Sequence, residues 1–301
     1  MKVKYVESKL SRKSIAMVER INGIIDNYLA QGFHLTVRQL YYQLVARDII
    51  PNTLQSYKSI TGLVNDARMC GLIDWDAIED RTREVWQRGR WTSGEDIVAA
   101  CATQFHMDMW ANQETRVIVA VEKEALAGVM QTVCNELDIP LLAARGYPSV
   151  TVLRELALNT MRSTIKGGQR VRILHLGDHD PSGIDMTRDL NERLGIFVGG
   201  DWSLKRIALN MDQIEELELP ENPAKSTDSR FAGYVERFGD FSWELDALEP
   251  QRLVDLVKSE AQPYIDPDKW AERKAEIQVH KDKLSWISRN YATLGDKPDK
   301  E

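Results

Sequence analysis

The stretch Arg172-Ile-Leu-His-Leu-Gly-Asp-His-Asp-Pro-Ser-Gly-Ile-Asp185 is the most informative segment of this chain about its fold class. An apolar run ends there in two carboxylates, Asp178 and Asp180, and Pro181 then opens a predicted helix. Because an extended backbone turns residues two apart to the same side, both carboxylates are expected on one side at the carboxyl end of a buried strand. Open α/β sheets bind their ligands at that edge.

The spacing of the two aspartates leaves two interpretations open. Like charges held this close repel each other unless a cation lies between them, and a hard divalent ion such as Mg²⁺ suits carboxylate oxygens. Alternatively, Asp180 is the N-cap of the following helix, with Pro181 at the first helical position. The pattern therefore predicts a metal site or a helix cap.

Strands and helices alternate along the rest of this half of the chain. The apolar run at 117–121 predicts a buried strand, and further strands are predicted at 141–144, 171–176 and 207–210, each followed by a helix. This order predicts an α/β fold with a parallel, doubly wound sheet that helices cover on both faces.

The first predicted strand also ends in a carboxylate, Glu122. Because parallel strands bring their carboxyl ends to one edge, Glu122 is expected to meet Asp178 and Asp180 there. Three carboxylates without His or Cys suit Mg²⁺ or Mn²⁺ and suit zinc poorly. Lys123, the next residue, is expected to face solvent at the start of a helix.

The N-terminal part of the chain predicts three helices. Apolar residues at three- and four-residue steps predict helices over 12–31, 36–46 and 53–69, and residues 72–78 predict a short strand or wing. Three helices and a wing are typical of a winged helix-turn-helix that binds DNA, although small three-helix domains also bind proteins. The candidate DNA contacts on the exposed face of the third helix are Lys58, Ser59 and Arg68.

The second helix carries a candidate nucleophile. At 100° per residue Tyr41 falls in the apolar arc and is expected in the core, whereas Arg38 and Tyr42 lie together on its flank. A half-exposed tyrosine beside a guanidinium is a candidate nucleophile with a phosphate clamp. A tyrosine in such a position also serves as an amphipathic packing residue, and position alone does not decide between the two.

Charge is distributed unevenly along the chain. The net charge is −7, which argues against indiscriminate binding to nucleic acid. Residues 1–73 hold ten Lys and Arg against five Asp and Glu, a balance of +5, so the remainder carries −12. A basic N-terminal part fits contact with a phosphate backbone, although a small domain with this charge is also common.

Composition indicates a cytoplasmic protein. No apolar stretch has the length of a membrane span, and the start of the chain at Met1–Tyr5 lacks the apolar core of a signal peptide. Cys70, Cys101 and Cys134 are far apart, so they form neither a metal-binding pair nor a disulfide framework, which fits a reducing compartment.

Together these motifs resemble the Toprim domain of the topoisomerase VI A subunit and of its relative, the meiotic double-strand-break transesterase. The matching segments are Val121-Glu122-Lys123, Gly146-Tyr147-Pro148 and Asp178-His-Asp180-Pro-Ser-Gly183.

Two further segments extend the resemblance to about residues 30–260. Arg38-Gln-Leu-Tyr-Tyr42 is similar to the family's Arg-x-x-x-Tyr motif in an upstream winged helix, whose second tyrosine is the nucleophile. Trp243-Glu-Leu-Asp-Ala-Leu248 is similar to a segment that follows the Toprim core. The resemblance predicts a winged-helix domain at 1–95, a connector at 96–113, and a Toprim domain with a C-terminal extension at 114–301.

The resemblance implies cleavage of double-stranded DNA by a homodimer. Tyr42 would attack a backbone phosphate, leaving a phosphotyrosine and a free 3′ hydroxyl, while Arg38 steadies the phosphoryl oxygens. A divalent ion, Mg²⁺ or Mn²⁺, would lie at Glu122, Asp178 and Asp180. As in the family, the tyrosine of one protomer would meet the metal site of the other. The protein would be associated with the nucleoid.

The chain departs from the family in two ways. It is shorter than a usual A subunit, and it lacks a Gly-x-x-x-x-Gly-Lys loop, so strand passage would need a separate ATPase subunit.

Two alternative functions stay open. One is a hydrolytic Toprim endonuclease in which Tyr42 is not catalytic, and the other is a winged-helix DNA-binding regulator with a catalytically silent α/β domain. An Asp-x-Asp phosphatase fits poorly, because its aspartates should end the first strand of the domain.

Overall fold

Three helices form the N-terminal part of the molecule, as the apolar spacing predicts. They are α1 (Arg12–Ala30), α2 (Val37–Ala46) and α3 (Leu54–Met69). A capping box starts α2: the Thr36 hydroxyl accepts the Gln39 backbone N–H at 3.2 Å, and the Gln39 side chain accepts the Thr36 N–H at 2.9 Å. This start fixes the rotation of α2, so that Tyr41 is buried and Tyr42 is half-buried on the flank, both as predicted.

A four-stranded parallel sheet organises the second half. The structure, a computed structural model, describes residues 1–7, 9–79, 89–144 and 146–294. The sheet strands are β1 (Thr115–Val121), β2 (Leu141–Ala143), β3 (Arg170–Leu176) and β4 (Trp202–Ala208). They lie in the order β2-β1-β3-β4, with every neighbouring pair parallel. The predicted α/β class with a parallel sheet is therefore confirmed.

Helices cover both faces of this sheet. The helices after α3 are α4 (Gly94–Gln104), α5 (Ala127–Glu136), α6 (Val150–Glu155), α7 (Arg162–Lys166), α8 (Pro181–Phe197), α9 (Met211–Leu217), α10 (Phe231–Phe238), α11 (Pro250–Ala261) and α12 (Pro267–Arg289). Ile118 and Ala120 of β1 pack in a cluster with residues of α6 and α8. Val117, Val119 and Val121 pack on the opposite face with residues of α5 and α11. None of the described helices is long and apolar enough to cross a membrane.

The N-terminal helices and the sheet belong to one continuous apolar cluster. It joins Ile21, Leu40 and Val64 of α1–α3 to Val119 and Leu174 of the sheet. A short antiparallel ribbon, β5 (Asn222–Pro223) and β6 (Phe241–Ser242), lies next to the strand ends. A 3₁₀ turn at Leu245–Ala247 follows and packs against α2. This packing brings α2 to the carboxyl edge of the sheet.

The predicted wing is not a strand. Residues 72–78 form no strand in the described part of the chain, and Ile78 makes a single parallel bridge with Leu35. Ile73 and Ile78 are buried against the helices, while the indole of Trp75 donates to the Val3 carbonyl oxygen at 3.1 Å. The stretch is therefore fixed by packing onto the helical core, which takes the place of strand pairing.

The last strand is longer than predicted. β4 begins at Trp202, earlier than the predicted start at 207, and it forms an edge of the sheet. Its residues up to Arg206 alternate between half-buried and exposed. An edge strand of this kind lacks the continuous apolar run that marks a strand buried on both faces.

The predicted connector contains a packed helix. α4 lies against α12, where the Phe105 and His280 rings are 5.1 Å apart and the Ser288 hydroxyl donates to the Glu95 carbonyl oxygen at 3.4 Å. The mixed charges after Pro267 predict a solvated helix that frays after Leu294, but Ile277 of this helix is buried. Residues beyond 294 lie outside the part of the chain that the structure describes.

His175 of β3 predicts a loss of stability in acid. Its Nδ1 lies 3.0 Å from the Thr187 hydroxyl oxygen, and burial, aided by Arg206, lowers the pKa of His175 to about 3. The unfolded chain therefore binds a proton below pH ~6.5 that the folded chain does not bind, and stability falls as pH falls. Protonation of His175 in the unfolded chain is expected to lower the free energy of unfolding by about 2 kcal/mol between pH 7 and pH 5.

Urea unfolding of the wild type and of His175→Gln at these pH values checks this expectation. Between pH 7 and pH 5 the free energy of unfolding of the variant should fall by about 2 kcal/mol less than that of the wild type. Equal losses in the two proteins would contradict a neutral, buried imidazole.

Candidate active site

The strand ends bring the three predicted carboxylates together. Glu122 follows β1, and its Oε2 accepts the backbone N–H of Asp178 at 2.9 Å. The charge of Asp180 acts on Glu122 and, after burial, helps to raise the pKa of the Glu122 carboxyl. The expected meeting of Glu122, Asp178 and Asp180 at one edge of the sheet is therefore what the structure has.

Asp180 is a helix cap. Its Oδ1 accepts the backbone N–H of Gly183 at 2.6 Å, and Pro181 occupies the first position of α8. A Cβ at Gly183 would collide with the carbonyl oxygen of Asp178, so the close turn from strand to helix requires glycine there. The cap interpretation of Asp180 is confirmed, and it explains the Asp-Pro-Ser-Gly order without a metal.

Asp178 is buried and points away from the cap. Its Oδ1 accepts the backbone N–H of Leu245 at 2.7 Å and lies 2.9 Å from the Lys123 ammonium. Burial raises the pKa of Asp178 to about 8, against the opposing effect of Lys123. A nearby positive charge therefore favours the ionised form of Asp178.

Lys123 provides that charge, and the prediction that it faces solvent is wrong. Its side chain is only 12% exposed, and its ammonium contacts Asp178, Glu244 and Asp246. Residues 124–126 form a 3₁₀ turn after the strand, and this turn leaves the Lys123 side chain beneath the Glu244–Asp246 segment. The surrounding carboxylates raise the pKa of Lys123 above its ordinary value although burial lowers it.

Two acidic residues from a distant segment complete the cluster. Glu244 precedes the 3₁₀ turn and contacts the Lys123 ammonium, while the Asp246 side chain is fully buried. Neither Asp246 oxygen has a hydrogen-bond partner among the described residues, and its ion pairs are with Lys123 at 3.4 Å and Arg38 at 3.3 Å. The Glu244–Asp246 segment is held in register by paired backbone hydrogen bonds between His179 and Trp243.

The predicted pair Arg38 and Tyr42 reaches this same cluster within one chain. The Arg38 guanidinium lies 3.3 Å from both Glu244 and Asp246. The Tyr42 ring centroid lies 5.8 Å from the Arg38 guanidinium carbon and 5.9 Å from the Lys123 ammonium nitrogen. The candidate nucleophile therefore lies against the carboxylate cluster of its own chain.

Tyr42 is a protonated phenol at neutral pH. Burial and the charge of Glu244 raise the pKa of Tyr42 to about 12, although Arg38 and Lys123 act in the opposite direction. A cavity of about 410 Å³ adjoins the ring. Its other lining residues are Arg38, Tyr41, Asn52, Thr53, Leu54, Tyr57 and Asn222. None of the described residues that line this cavity is a carboxylate, so an anionic chain can lie along it beside Tyr42.

Arg206 of β4 holds the aspartate loop in place. Its guanidinium donates to the carbonyl oxygens of Gly177 at 2.9 Å, Asp178 at 2.6 Å and Gly183 at 3.0 Å. It also donates to the Leu209 carbonyl oxygen at 3.1 Å. Burial lowers the pKa of Arg206 to about 10, which leaves the group charged at neutral pH.

Arg206→Met is expected to destabilise the fold by at least about 3 kcal/mol, because several buried carbonyl oxygens lose their donor together. The matched control is Arg252→Met, which removes a surface pair with Glu216 and should cost less than about 1 kcal/mol. Urea unfolding measures both variants. A cost for Arg206→Met similar to that of the control would contradict this role of the guanidinium.

The predicted DNA contacts divide into two groups. Lys58 and Ser59 are exposed on α3, where a phosphate backbone could reach them. Arg68 differs from the prediction, because its guanidinium donates to the Trp75 carbonyl oxygen at 2.8 Å and to that of Ile78 at 3.2 Å. It also stacks 4.6 Å from the Trp75 ring. These contacts hold the 72–78 stretch on the helices and occupy the side chain.

The predicted metal ligands do not form an arrangement ready for a metal ion. Glu122 accepts from Asp178, Asp180 caps α8, and Asp178 binds Lys123 and Leu245. In the described part of the chain, no three His, Cys, Asp or Glu side chains are grouped so that they could hold a metal ion. The oxygen-only donor set suits Mg²⁺ chemically, but the arrangement does not fit the ion.

Sequence reasoning missed two residues of this site, Lys123 and Arg206. The position of Lys123 directly after a buried strand and a carboxylate was a usable signal, since such a residue sits at the ligand edge of the sheet. Arg206 gave no local signal, because its partners are distant in sequence. For Glu244 and Asp246 the spacing favours an acidic surface turn over groups that support the site, but Asp246 is buried. Comparison of the chain with protein-family models, with curated proteins and with solved structures found no match.

Proposed function

We propose that this chain cleaves DNA by transesterification at Tyr42. The observation that carries the proposal is the meeting of Tyr42 and Arg38 from α2 with Lys123 and the carboxylates at the sheet edge. A phenol, two cations and ionised carboxylates at one place are the groups that such a reaction uses. The finer fold assignment, a winged helix followed by a Toprim domain, is part of this proposal.

The reaction exchanges one phosphoester bond for another. The Tyr42 oxygen forms a bond to phosphorus, and the bond from phosphorus to the 3′ oxygen breaks. The phenol proton passes to a carboxylate, for which Glu244 is our candidate, because its charge acts on Tyr42 and because Lys123 and Arg38, against the effect of burial, lower the pKa of Glu244 and so keep it ionised and able to accept a proton. The leaving 3′ oxygen takes up a proton and becomes a free hydroxyl.

Arg38 has a second role in this proposal. Its planar guanidinium can bind two phosphoryl oxygens, and its present partners are the carboxylates of Glu244 and Asp246. Because its side chain is 48% exposed, a phosphate can approach it from solvent. Double-stranded DNA is the substrate we propose, with Lys58 and Ser59 as outer contacts and a homodimer cutting both strands.

Hydrolysis is the second candidate function, and the raised pKa of Tyr42 favours it, because a phenol with a pKa of about 12 is a poor nucleophile at neutral pH. In that case water attacks the phosphate, and Tyr42 only packs against the DNA.

Incubation with supercoiled plasmid and Mg²⁺, stopped with detergent, separates the two functions. Transesterification leaves protein on the DNA ends, whereas hydrolysis leaves free 5′ phosphates. A DNA-binding regulator binds the plasmid and leaves it intact. The reaction is run with and without a separate ATPase subunit, so that strand passage is measured separately from cleavage.

A further inference from the structure

Lys123 lies where three carboxylates from two distant segments converge. Its ammonium nitrogen is 2.9 Å from Asp178 Oδ1 and 3.4 Å from Asp246 Oδ1, and it contacts Glu244 Oε2 as well. Asp178 follows β3, while Glu244 and Asp246 flank the start of the 3₁₀ turn. The three carboxylates surround one point, and the Lys123 ammonium occupies it.

Asp246 requires a cation at this place. Its side chain has no exposed surface, and neither of its oxygens accepts a hydrogen bond from a described residue. A buried carboxylate without a partner costs several kcal/mol, so its charge must be balanced by neighbouring cations. Those cations are Lys123 on one side and Arg38 at 3.3 Å on the other.

We infer that the Lys123 ammonium is the cation of this site, in the role that the family resemblance assigns to a divalent ion. The three acids predicted to hold that ion bind elsewhere: Glu122 to a backbone N–H, Asp180 to the start of α8, and Asp178 to Lys123 itself. The mismatch between the predicted ligand set and the observed arrangement is explained if the protein carries its own cation.

The catalytic part of the inference rests on the proposed function. The ammonium nitrogen lies 5.9 Å from the centroid of the Tyr42 ring, so a phosphate attacked by Tyr42 lies within its reach. Lys123 stays protonated through the step and contacts the phosphoryl oxygens as negative charge builds up on them. As in the transesterification described above, the bond that forms joins the Tyr42 oxygen to phosphorus, and the bond that breaks joins phosphorus to the 3′ oxygen.

Binding of Mn²⁺, followed by electron paramagnetic resonance and by thermal unfolding, tests the inference without DNA. Wild-type protein is expected to leave Mn²⁺ free and to keep its unfolding midpoint. Lys123→Ala opens space among three carboxylates, and it is expected to bind one Mn²⁺ at least about tenfold more tightly than wild type, a difference of 1.4 kcal/mol. Mn²⁺ should then raise the unfolding midpoint of the variant.

Three further variants keep the test decisive. Asp246→Asn added to Lys123→Ala should abolish the gained Mn²⁺ site, whereas Lys205→Ala, which removes a surface partner of Glu260, should gain none. One tightly bound Mn²⁺ in wild type that Asp178→Asn removes would overturn the inference, and this result needs no folded Lys123 variant.

Cleavage assays distinguish this inference from the proposed function. Protein-linked DNA that persists in the presence of a chelator supports both. Protein-linked DNA that the chelator abolishes overturns the inference and leaves the proposed function intact. Absence of Mn²⁺ from wild type together with plasmid that is never cut overturns the proposed function, while the assignment of Lys123 as the site cation stands.

Discussion

Tyr42→Phe is expected to abolish protein-linked DNA, with a loss on the order of 10³-fold or more, as for other enzymes that lose their nucleophile. The change removes one oxygen and leaves the ring against Arg38 and Lys123, so the fold and DNA binding should persist. The measurement is the amount of DNA retained with protein after detergent treatment of a plasmid reaction.

Tyr41→Phe is the matched control for this prediction. The Tyr41 hydroxyl donates to Asn52 at 2.9 Å and to the Thr53 carbonyl oxygen at 3.1 Å, and Tyr41 itself is buried. Its removal should cost about 1 kcal/mol of stability and leave the covalent product in place. If the Tyr42→Phe variant cuts DNA as well as the wild type does, the reaction is hydrolysis.

Lys123→Met is expected to destabilise the fold by about 3–5 kcal/mol at pH 8, since it leaves the charges of Glu244 and Asp246 buried without the cation that they share. In wild type the raised pKa of Lys123 keeps its stabilisation intact at every pH below its ordinary pKa of about 10.4.

The deficit of Lys123→Met should depend on pH. Lys123 lowers the pKa of Glu244, so without Lys123 this pKa is higher and the folded variant takes up a proton at a higher pH than folded wild type does. The variant therefore regains stability as pH falls, and its deficit relative to wild type should shrink from pH 8 to pH 5.

Urea unfolding at both pH values measures this deficit. The control is Lys205→Met, whose exposed pair with Glu260 should be worth less than about 1 kcal/mol. A deficit that is constant with pH, or as small as that of the control, would contradict the assignment of Lys123 as the counter-ion of the buried acids.

The local architecture was predictable from the sequence wherever one element determines its own form. The capping box at Thr36 and Gln39 predicts the start of α2, and the apolar runs at 117–121 and 171–176 predict the two central strands. Strand β4 was only partly predicted, because an edge strand alternates in exposure. The strand predicted at 72–78 does not form, because apolar packing on the helices fixes that stretch.

The site was predictable only to the extent that parallel strands share an edge. That rule places Glu122, Asp178 and Asp180 together. It does not predict the partner of each carboxylate, which depends on where the chain returns. Asp246 reaches Lys123 and Arg38 only through the packing of the 3₁₀ turn on α2, and nothing in the local sequence specifies that contact.

We expect Tyr42 to become joined to DNA at the carboxylate cluster, and mass spectrometry of the trapped complex can detect that bond. Nuclease and trypsin digestion should yield the peptide of residues 39–47, which follows Arg38 and ends at Arg47, carrying a nucleotide on one tyrosine. Fragmentation is expected to place the phosphodiester on Tyr42 and to leave Tyr41 free. A nucleotide on any other residue, or DNA with free 5′ phosphates and an unmodified peptide, would contradict a covalent bond between Tyr42 and DNA.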